Sequence, residues 1–222
     1  MKCNIKLIFL LLVIAFLSTG CSNSGLPEQS EKYCGEGGDF SVDGAKFIIS
    51  FDKYPNGTSV IADTASPPND PDGPFIRVNG DEYTECGITI ATSWNNLGYP
   101  NWGLLNSCVV IHTDYYGTGS FLVRENEPNC SSRVLHITFS SPVKGISIQF
   151  IGASVNYSVV AYDQNGIELG RSTHQSEFVP DVYPRQIIEY ESDQNNIKSI
   201  RFYGISNVSV GEAIEKLIFT RD

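Results

Sequence analysis

The sequence has few of the residues that usually carry acid–base or nucleophilic catalysis. It contains only three histidines, His112, His136 and His174, and no G-x-S-x-G, H-E-x-x-H or phosphate-binding motif. His136 lies on the polar side of an alternating segment and His112 ends an apolar run, so both are predicted to be strand surface residues rather than general bases. A pair of acidic residues assembled in space stays open as an alternative, because the chain offers 25 Asp and Glu.

Positive charge is also scarce. The chain has 15 Lys and Arg against 25 Asp and Glu, which gives a formal net charge of −10 at pH 7. No basic stripe with interleaved aromatic residues occurs, and the negative field of the chain would repel a polyanion. Nucleic acid is therefore not an expected partner.

After residue 33 the apolar residues do not show the spacing typical of helices. Instead, apolar and polar residues alternate with a period of two. In residues 134–139, for example, Leu135, Ile137 and Phe139 share one face. Asn165-Gly166 tolerates positive φ and predicts a hairpin. These features predict an all-β fold, a single jelly-roll or β-sandwich domain of antiparallel strands. The predicted strands are 47–51, 87–92, 109–112, 134–139, 146–150, 158–162, 167–170, 186–191, 197–203 and 217–220.

The N-terminal segment has the features of an export signal. A cationic start precedes an apolar run, residues 7–17, that is too short to span a bilayer comfortably and ends in Ser18-Thr19-Gly20-Cys21. This pattern resembles a bacterial lipoprotein signal, which implies cleavage before Cys21 and attachment of lipid, including palmitate, to that cysteine. An ordinary secretory signal and an uncleaved anchor are the alternatives.

This resemblance sets the predicted organisation of the chain. It consists of a signal peptide at 1–20, a lipidated cysteine and flexible tether at 21–33, and a β-sandwich domain at 34–222. Because Ser22 rather than Asp follows Cys21, the resemblance implies that the lipid anchor lies in the outer membrane of the cell envelope.

Four cysteines lie outside the signal and the lipidation site: Cys34, Cys86, Cys108 and Cys130. An even number in an exported chain predicts two disulfides, in any of three connectivities. A zinc site is the rival interpretation, although none of these cysteines has the close spacing of a zinc knuckle. Free buried thiols are a third possibility.

Several short motifs follow one another in a recognisable order. Phe51-Asp52 precedes Tyr54-Pro55-Asn56-Gly57-Thr58, and Tyr83 leads into Cys86-Gly87-Ile88-Thr89-Ile90. Over residues 47–221 this order resembles exported bacterial β-sandwich domains of the galactose-binding-like type. The resemblance implies a jelly-roll module similar to carbohydrate-binding modules, which often hold a structural calcium ion. Later pieces of the likeness are residues 137–143, 161–166, 200–202 and 214–219.

Calcium ligands are predicted on one loop. Asn69-Asp70-Pro71-Asp72-Gly73, with Asp63 before it, places hard oxygen donors on a segment stiffened by proline. A solvated turn without a cation has the same composition and is the alternative. The predicted ligands of a structural calcium ion are Asp63, Asp70 and Asp72, and no other cofactor is expected.

Both tryptophans of the chain fall in one turn-rich segment, which runs from Trp94 to Trp102. Indole and phenol rings stack on the C–H faces of sugars, and amide side chains bond the hydroxyl groups. The alternative is a loop that buries its own aromatic rings at an edge of the sandwich. The predicted ligand-binding residues are Trp94, Asn95, Asn96, Tyr99, Asn101, Trp102, Tyr115 and Tyr116.

Together these features predict a lipid-anchored, non-catalytic module of the cell envelope that binds a glycan or another surface ligand. Two alternatives stay open: an envelope structural or assembly protein that docks protein partners, and a glycan-acting enzyme. The expected partners are the membrane, through the N-terminal lipid, and a glycan or an envelope protein. The orientation of Trp94 and Trp102 separates the first two hypotheses, because outward rings favour a sugar ligand.

Overall fold

A computed structural model describes residues 46–56, 58–60, 75–94, 104, 108–113, 120–124, 130, 133–152, 156–175, 184–205 and 213–221. These residues form two antiparallel sheets, joined in one place by a short 3₁₀ helix, Thr84–Cys86. The predicted all-β, jelly-roll type of sandwich is confirmed. The predicted signal, Cys21 and Cys34 lie outside the described residues. Within the described part, no helix is long and apolar enough to cross a membrane.

The larger sheet has seven strands in the order β10-β7-β12-β5-β4-β2, with β1 also paired to β12. Strand β12 pairs with β7 along one side. Along its other side it pairs with β5 at its N-terminal end and with β1 over the rest of its length. The strands are β1 (Lys46–Ser50), β2 (Phe75–Arg77), β4 (Val109–His112), β5 (Phe121–Arg124), β7 (Gly145–Ile151), β10 (Gln186–Glu191) and β12 (Ala213–Thr220).

The smaller sheet has five strands in the order β3-β6-β11-β8-β9. Its central strand, β11, pairs with β6 on one side and with β8 on the other. The strands are β3 (Ile88–Trp94), β6 (Arg133–Val143), β8 (Asn156–Tyr162), β9 (Glu168–Gln175) and β11 (Ile197–Ile205).

The main hydrophobic core consists of the inward side chains of both sheets. Leu135, Ile137 and Phe139 of β6 all belong to it, as their alternation predicts. Phe139 packs against Phe219 of the larger sheet, with ring centroids 5.2 Å apart. Burying each such side chain stabilises the fold by roughly 1.5–3 kcal/mol, so this apolar layer holds the two sheets together.

The predicted hairpin at Asn165-Gly166 is confirmed between β8 and β9. Gly166 has a φ of 75°, the left-handed region that a residue with a Cβ rarely adopts. The Asp163 carboxylate accepts hydrogen bonds of 2.8 Å from the backbone N–H groups of Asn165 and Ile167. These bonds lower the pKa of Asp163, so the charged carboxylate favours the turn.

Some strands differ from the prediction. Ser140-Ser141-Pro142, which falls between the predicted strands 134–139 and 146–150, lies inside β6, which continues to Val143. Sequence patterning missed β2 and β5 because strands of three and four residues show too little alternation. Strands β9 and β12 are also longer than predicted, at their C-terminal and N-terminal ends respectively.

Candidate ligand-binding region

Polar side chains line the face of the five-stranded sheet that points away from the main core. Arg201 lies between the core residues Ile200 and Phe202, so the alternation of β11 directs it to the opposite face. Across the ladder, Arg201 lies directly opposite His136 of β6 and Val160 of β8. A cationic group and an imidazole therefore lie side by side near the middle of this sheet.

Tyrosine and hydroxyl groups surround this pair. Tyr162 and Tyr203 belong to a small apolar cluster, with Val134 and Val160, that is separate from the main core. The Arg201 Nε donates a hydrogen bond of 3.1 Å to the Oγ of Ser93 in β3. We call the set Ser93, His136, Tyr162, Arg201 and Tyr203 the polar face. All five side chains are buried.

Burial determines the protonation states on the polar face. It lowers the pKa of His136 to about 3, and the positive charge of Arg201 acts in the same direction. The imidazole is therefore neutral at pH 7, with one nitrogen able to donate a hydrogen bond and the other able to accept one. Burial also raises the pKa of Tyr162, although a hydrogen bond with Arg201 opposes that shift. The Tyr162 phenol thus keeps its proton.

The prediction that His112 and His136 are surface residues is wrong. Only 5% of His112 and 3% of His136 is exposed. The His112 ring lies against Phe75, with ring centroids 5.4 Å apart. Alternation predicts which residues share a face of a sheet, but it does not predict whether that face meets solvent.

The aromatic segment predicted to bind a glycan begins at the edge of the polar face. Trp94 is the last residue of β3, and its backbone pairs with Arg133, the first residue of β6. It directly follows Ser93, which accepts the hydrogen bond from Arg201. The backbone of Trp94 is described, whereas its side chain and the predicted ligand residues Asn95, Asn96, Tyr99, Asn101 and Trp102 lie outside the described residues.

Tyr115 and Tyr116 also lie outside the described residues, in the connection between β4 and β5. The base of this connection is closed by a hydrogen bond of 3.4 Å from Ser120 Oγ to the carbonyl oxygen of Thr113. This connection begins after His112, at the C-terminal end of β4. The segment that begins at Trp94 ends at Cys108, just before the N-terminal end of β4. The bases of the two predicted groups, at Cys108 and Thr113, are therefore separated by roughly 16 Å of strand, at 3.3 Å per residue.

The disulfide prediction is confirmed for one pair, Cys108–Cys130. Because these two cysteines are joined in a disulfide, the alternative prediction that they bind zinc is wrong. Cys86 is disulfide-bonded as well, to a cysteine outside the described part of the chain. Oxidised cysteines agree with the export that the N-terminal segment predicts.

The predicted calcium ligands Asp63, Asp70 and Asp72 lie outside the described residues. Among the residues that the structure does describe, no group of three or more His, Cys, Asp or Glu side chains is arranged to hold a metal ion. The Glu82 carboxylate accepts hydrogen bonds of 2.7 and 2.9 Å from the backbone N–H groups of Asn79 and Gly80. Glu82 thereby stabilises the turn before β3.

Sequence reasoning did not single out Ser93, Tyr162, Arg201 or Tyr203. One signal for them was available. A charged residue between two apolar residues of a strand, as in Ile200-Arg201-Phe202, marks a polar group on the side away from the core. That Arg201 meets Ser93, 108 positions away in the sequence, follows only from the order of the strands.

No protein-family model matches this sequence, and no curated protein matches it. Solved structures of similar fold include the carbohydrate-binding module CBM29_1 from Piromyces equi, at 12% identity and a TM-score of 0.38, over 61% of this chain and 91% of the module. The family 32 module of C. perfringens NanJ, in complex with galactose, has 13% identity and a TM-score of 0.36, over 61% and 94%. The K1 adhesin domain of Lys-gingipain from Porphyromonas gingivalis W83 has 11% identity and a TM-score of 0.40, over 81% and 99%. These similarities concern the fold alone.

Proposed function

We propose that this protein is a non-catalytic, lipid-anchored module of the cell envelope that binds a glycan through the aromatic segment beginning at Trp94. One observation carries the proposal. Trp94 is the last residue of β3 and directly follows Ser93, whose hydroxyl oxygen accepts a hydrogen bond from the buried Arg201. The segment that holds both tryptophans of the chain thus begins from a fixed point on the edge of the sheet.

The polar face has a positioning role in this proposal. Its side chains are buried, so they hold the end of β3, and the residues that follow make the contacts with sugar. The aromatic rings of Trp94, Tyr99 and Trp102 supply stacking surfaces for sugar rings. The amides of Asn95, Asn96 and Asn101 supply donors and acceptors for hydroxyl groups.

The rest of the proposal concerns the place of the protein in the cell. Lipid on Cys21 attaches the domain to the outer membrane, and residues 22–33 form its tether. A structural calcium ion bound by Asp63, Asp70 and Asp72 stabilises the loop that precedes β2. Nucleic acid is not a ligand, because the chain carries a net charge of −10.

A glycan array probed with the intact protein tests the binding site. We expect retention of the wild-type protein on at least one glycan and loss of retention for Trp94→Ala combined with Trp102→Ala. The pair Trp94→Phe and Trp102→Phe keeps flat rings and should keep part of the retention. Ile187→Ala is the matched control, because Ile187 is 55% exposed on β10 of the other sheet.

Thermal unfolding of each variant separates a binding role from a core role. Loss of retention with an unchanged unfolding temperature supports the proposal. If the double alanine variant unfolds, the rings belong to the core and the glycan site loses its main support. If the wild-type protein is retained on no glycan, the docking of an envelope protein becomes the better hypothesis.

A further inference from the structure

Four neighbouring strands of the larger sheet, β1, β12, β7 and β10, carry exposed side chains on the face that points away from the core. Core residues such as Ile148 and Leu217 point inward, so the residues between them point outward. The ladders align these outward residues in rows that we call the outer sheet face, and all of them except Gly145 are exposed or partly exposed. From β1 to β10 the rows are Lys46, Thr220, Gly145 and Glu191, then Ile48, Ile218, Ser147 and Glu189, then Ser50, Lys216, Gln149 and Ile187.

Charge is divided between the two sides of the outer sheet face. Its lysines, Lys46 and Lys216, lie on β1 and β12, whereas its glutamates, Glu189 and Glu191, both lie on β10. Lys46 and Glu191 share a row but lie three strand spacings apart, about 14 Å at 4.8 Å per spacing. That separation is too large for an ion pair within one chain. The face therefore has a positive half and a negative half.

We propose that the outer sheet face binds a second copy of this protein across a two-fold axis that runs parallel to the strands, between β12 and β7. This axis places the positive half of each copy on the negative half of the other. Lys46 then lies opposite Glu191 of the second copy, and by symmetry the same contact forms twice. An axis across the strands would instead place Glu189 opposite Glu189 of the second copy, where like charges repel.

Apolar side chains contribute to the same contact. Ile187 is 55% exposed on β10, and the proposed axis places β10 of one copy on β1 of the other. Ile187 then lies over Ser50 of the second copy, next to Ile48 in the adjoining row. Burial of Ile187 in this contact removes apolar surface from water and favours association.

The direction of the strands also agrees with this axis. An axis parallel to the strands keeps their direction, so β1 begins at the same end of both copies. The two chains therefore enter the domain pair from one side, as two copies anchored in one membrane require. An axis across the strands would place the two starts of β1, at Lys46, at opposite ends.

The size of the outer sheet face predicts weak association. Four strands and three rows cover roughly 400 Å² at the usual strand and residue spacings, about half of the roughly 800 Å² per partner of a standard interface. The dimer should therefore form only at high concentration in solution. Attachment of both copies to one membrane would raise their local concentration and favour it.

An exchange of charges between copies tests the proposal. Lys46→Glu and Glu191→Lys each place like charges at both copies of the contact in a homodimer. When the two variants are mixed, both contacts again join opposite charges. The matched control is Glu85→Lys, which makes the same charge change at an exposed residue of the 3₁₀ helix, outside the outer sheet face. All proteins carry Cys21→Ser, so that no lipid drives micelle formation.

Sedimentation equilibrium at low ionic strength, where surface charges are least screened, measures the association. We expect the unsubstituted protein to dimerise and each single variant to associate about tenfold more weakly. An equimolar mixture of Lys46→Glu and Glu191→Lys should recover the association, and this recovery also shows that both variants are folded. A mixture of Lys46→Glu with Glu85→Lys should not recover it, because one contact still joins like charges.

Three results would overturn the inference. The first is an unsubstituted protein that stays monomeric up to a concentration of about 1 mM. The second is a mixture of the two variants that associates no better than either variant alone. The third is equal recovery in the control mixture. None of these measurements involves a glycan, so the outcome is independent of the proposed function.

Discussion

Arg201 and His136 lie opposite each other across β11 and β6, and both are buried. A protonated His136 would place a second positive charge beside the guanidinium, in surroundings that solvate charge poorly. The neutral imidazole is therefore the form that the folded protein accommodates. This residue pair gives the fold a specific sensitivity to acid.

His136→Gln should weaken the dependence of stability on acidic pH. The pKa of His136 is about 3 in the folded protein, whereas an unfolded chain has a histidine pKa near 6.5. The unfolded state therefore binds more protons between these values, and the free energy of unfolding falls as the pH drops below about 6.5. The loss from one such group reaches about 1.4 kcal/mol per pH unit.

Urea unfolding of the wild type and of His136→Gln at pH 7, 5.5 and 4.5 measures this difference. The comparison uses the slopes, because the substitution also changes packing and lowers stability at pH 7. Parallel curves for the two proteins would show that His136 does not cause the acid sensitivity.

Among the elements, the β8–β9 hairpin is the one that sequence chemistry determines most directly. Asn165-Gly166 predicted the turn, and the structure places Gly166 at a φ of 75°. A local rule was sufficient here because every interaction that defines the turn lies within five residues, from Asp163 to Ile167.

Gly166→Ala should destabilise the protein by about 1–2 kcal/mol, because an L residue with a Cβ is strained in the left-handed region. Gln164→Ala, two positions earlier in the same exposed turn, is the matched control and should change stability little. Chemical denaturation of both variants provides the measurement. Equal stability of Gly166→Ala and the wild type would mean that the turn relaxes to another conformation without cost.

Two strands whose limits differ from the prediction, β6 and β12, have irregular pairing. In β12 the register shifts between Ile214 and Lys216, so the core residues Ile214 and Leu217 are three positions apart rather than two. Period two is lost there, and the predicted strand began only at residue 217. A bulge has this effect because it adds one residue to one strand without adding one to its partner.

A second irregularity accounts for the error in β6. In its pairing with β11, Val143 lies opposite Ile197 and Thr138 lies opposite Ser199, so five positions of β6 correspond to only two positions of β11. Ser140-Ser141-Pro142 lies within this shift, which is a position where a strand tolerates proline. Residues typical of turns therefore continue a strand: Ser140 donates a backbone hydrogen bond of 2.8 Å to the carbonyl oxygen of Gly87, and Pro142, which has no N–H group, lies where β6 and β11 are out of regular register.

At the scale of the whole molecule, the N-terminal segment and the β-sandwich have separate tasks in the proposed function. In that proposal, the lipid on Cys21 attaches the protein to the membrane, and the domain binds the glycan.

Cys21→Ser should therefore release the protein from membranes. Without the lipidated cysteine there is no acyl chain to enter the bilayer, and we expect the variant to partition into the aqueous phase of a Triton X-114 separation. Cys3→Ser is the control, because Cys3 lies within the predicted signal peptide and should leave the lipid anchor in place. Detergent-phase recovery of Cys21→Ser would contradict lipid attachment at that residue.

The sequence by itself determined the fold class, the hairpin at Asn165-Gly166 and the inward residues Leu135, Ile137 and Phe139, because alternation and turn chemistry act over a few neighbouring residues. Only the tertiary structure decided that Cys108 pairs with Cys130 and that Arg201 meets Ser93. It also decided that the face carrying His136 is buried. These features depend on which strands become neighbours, and that order results from packing the whole core rather than from any local segment.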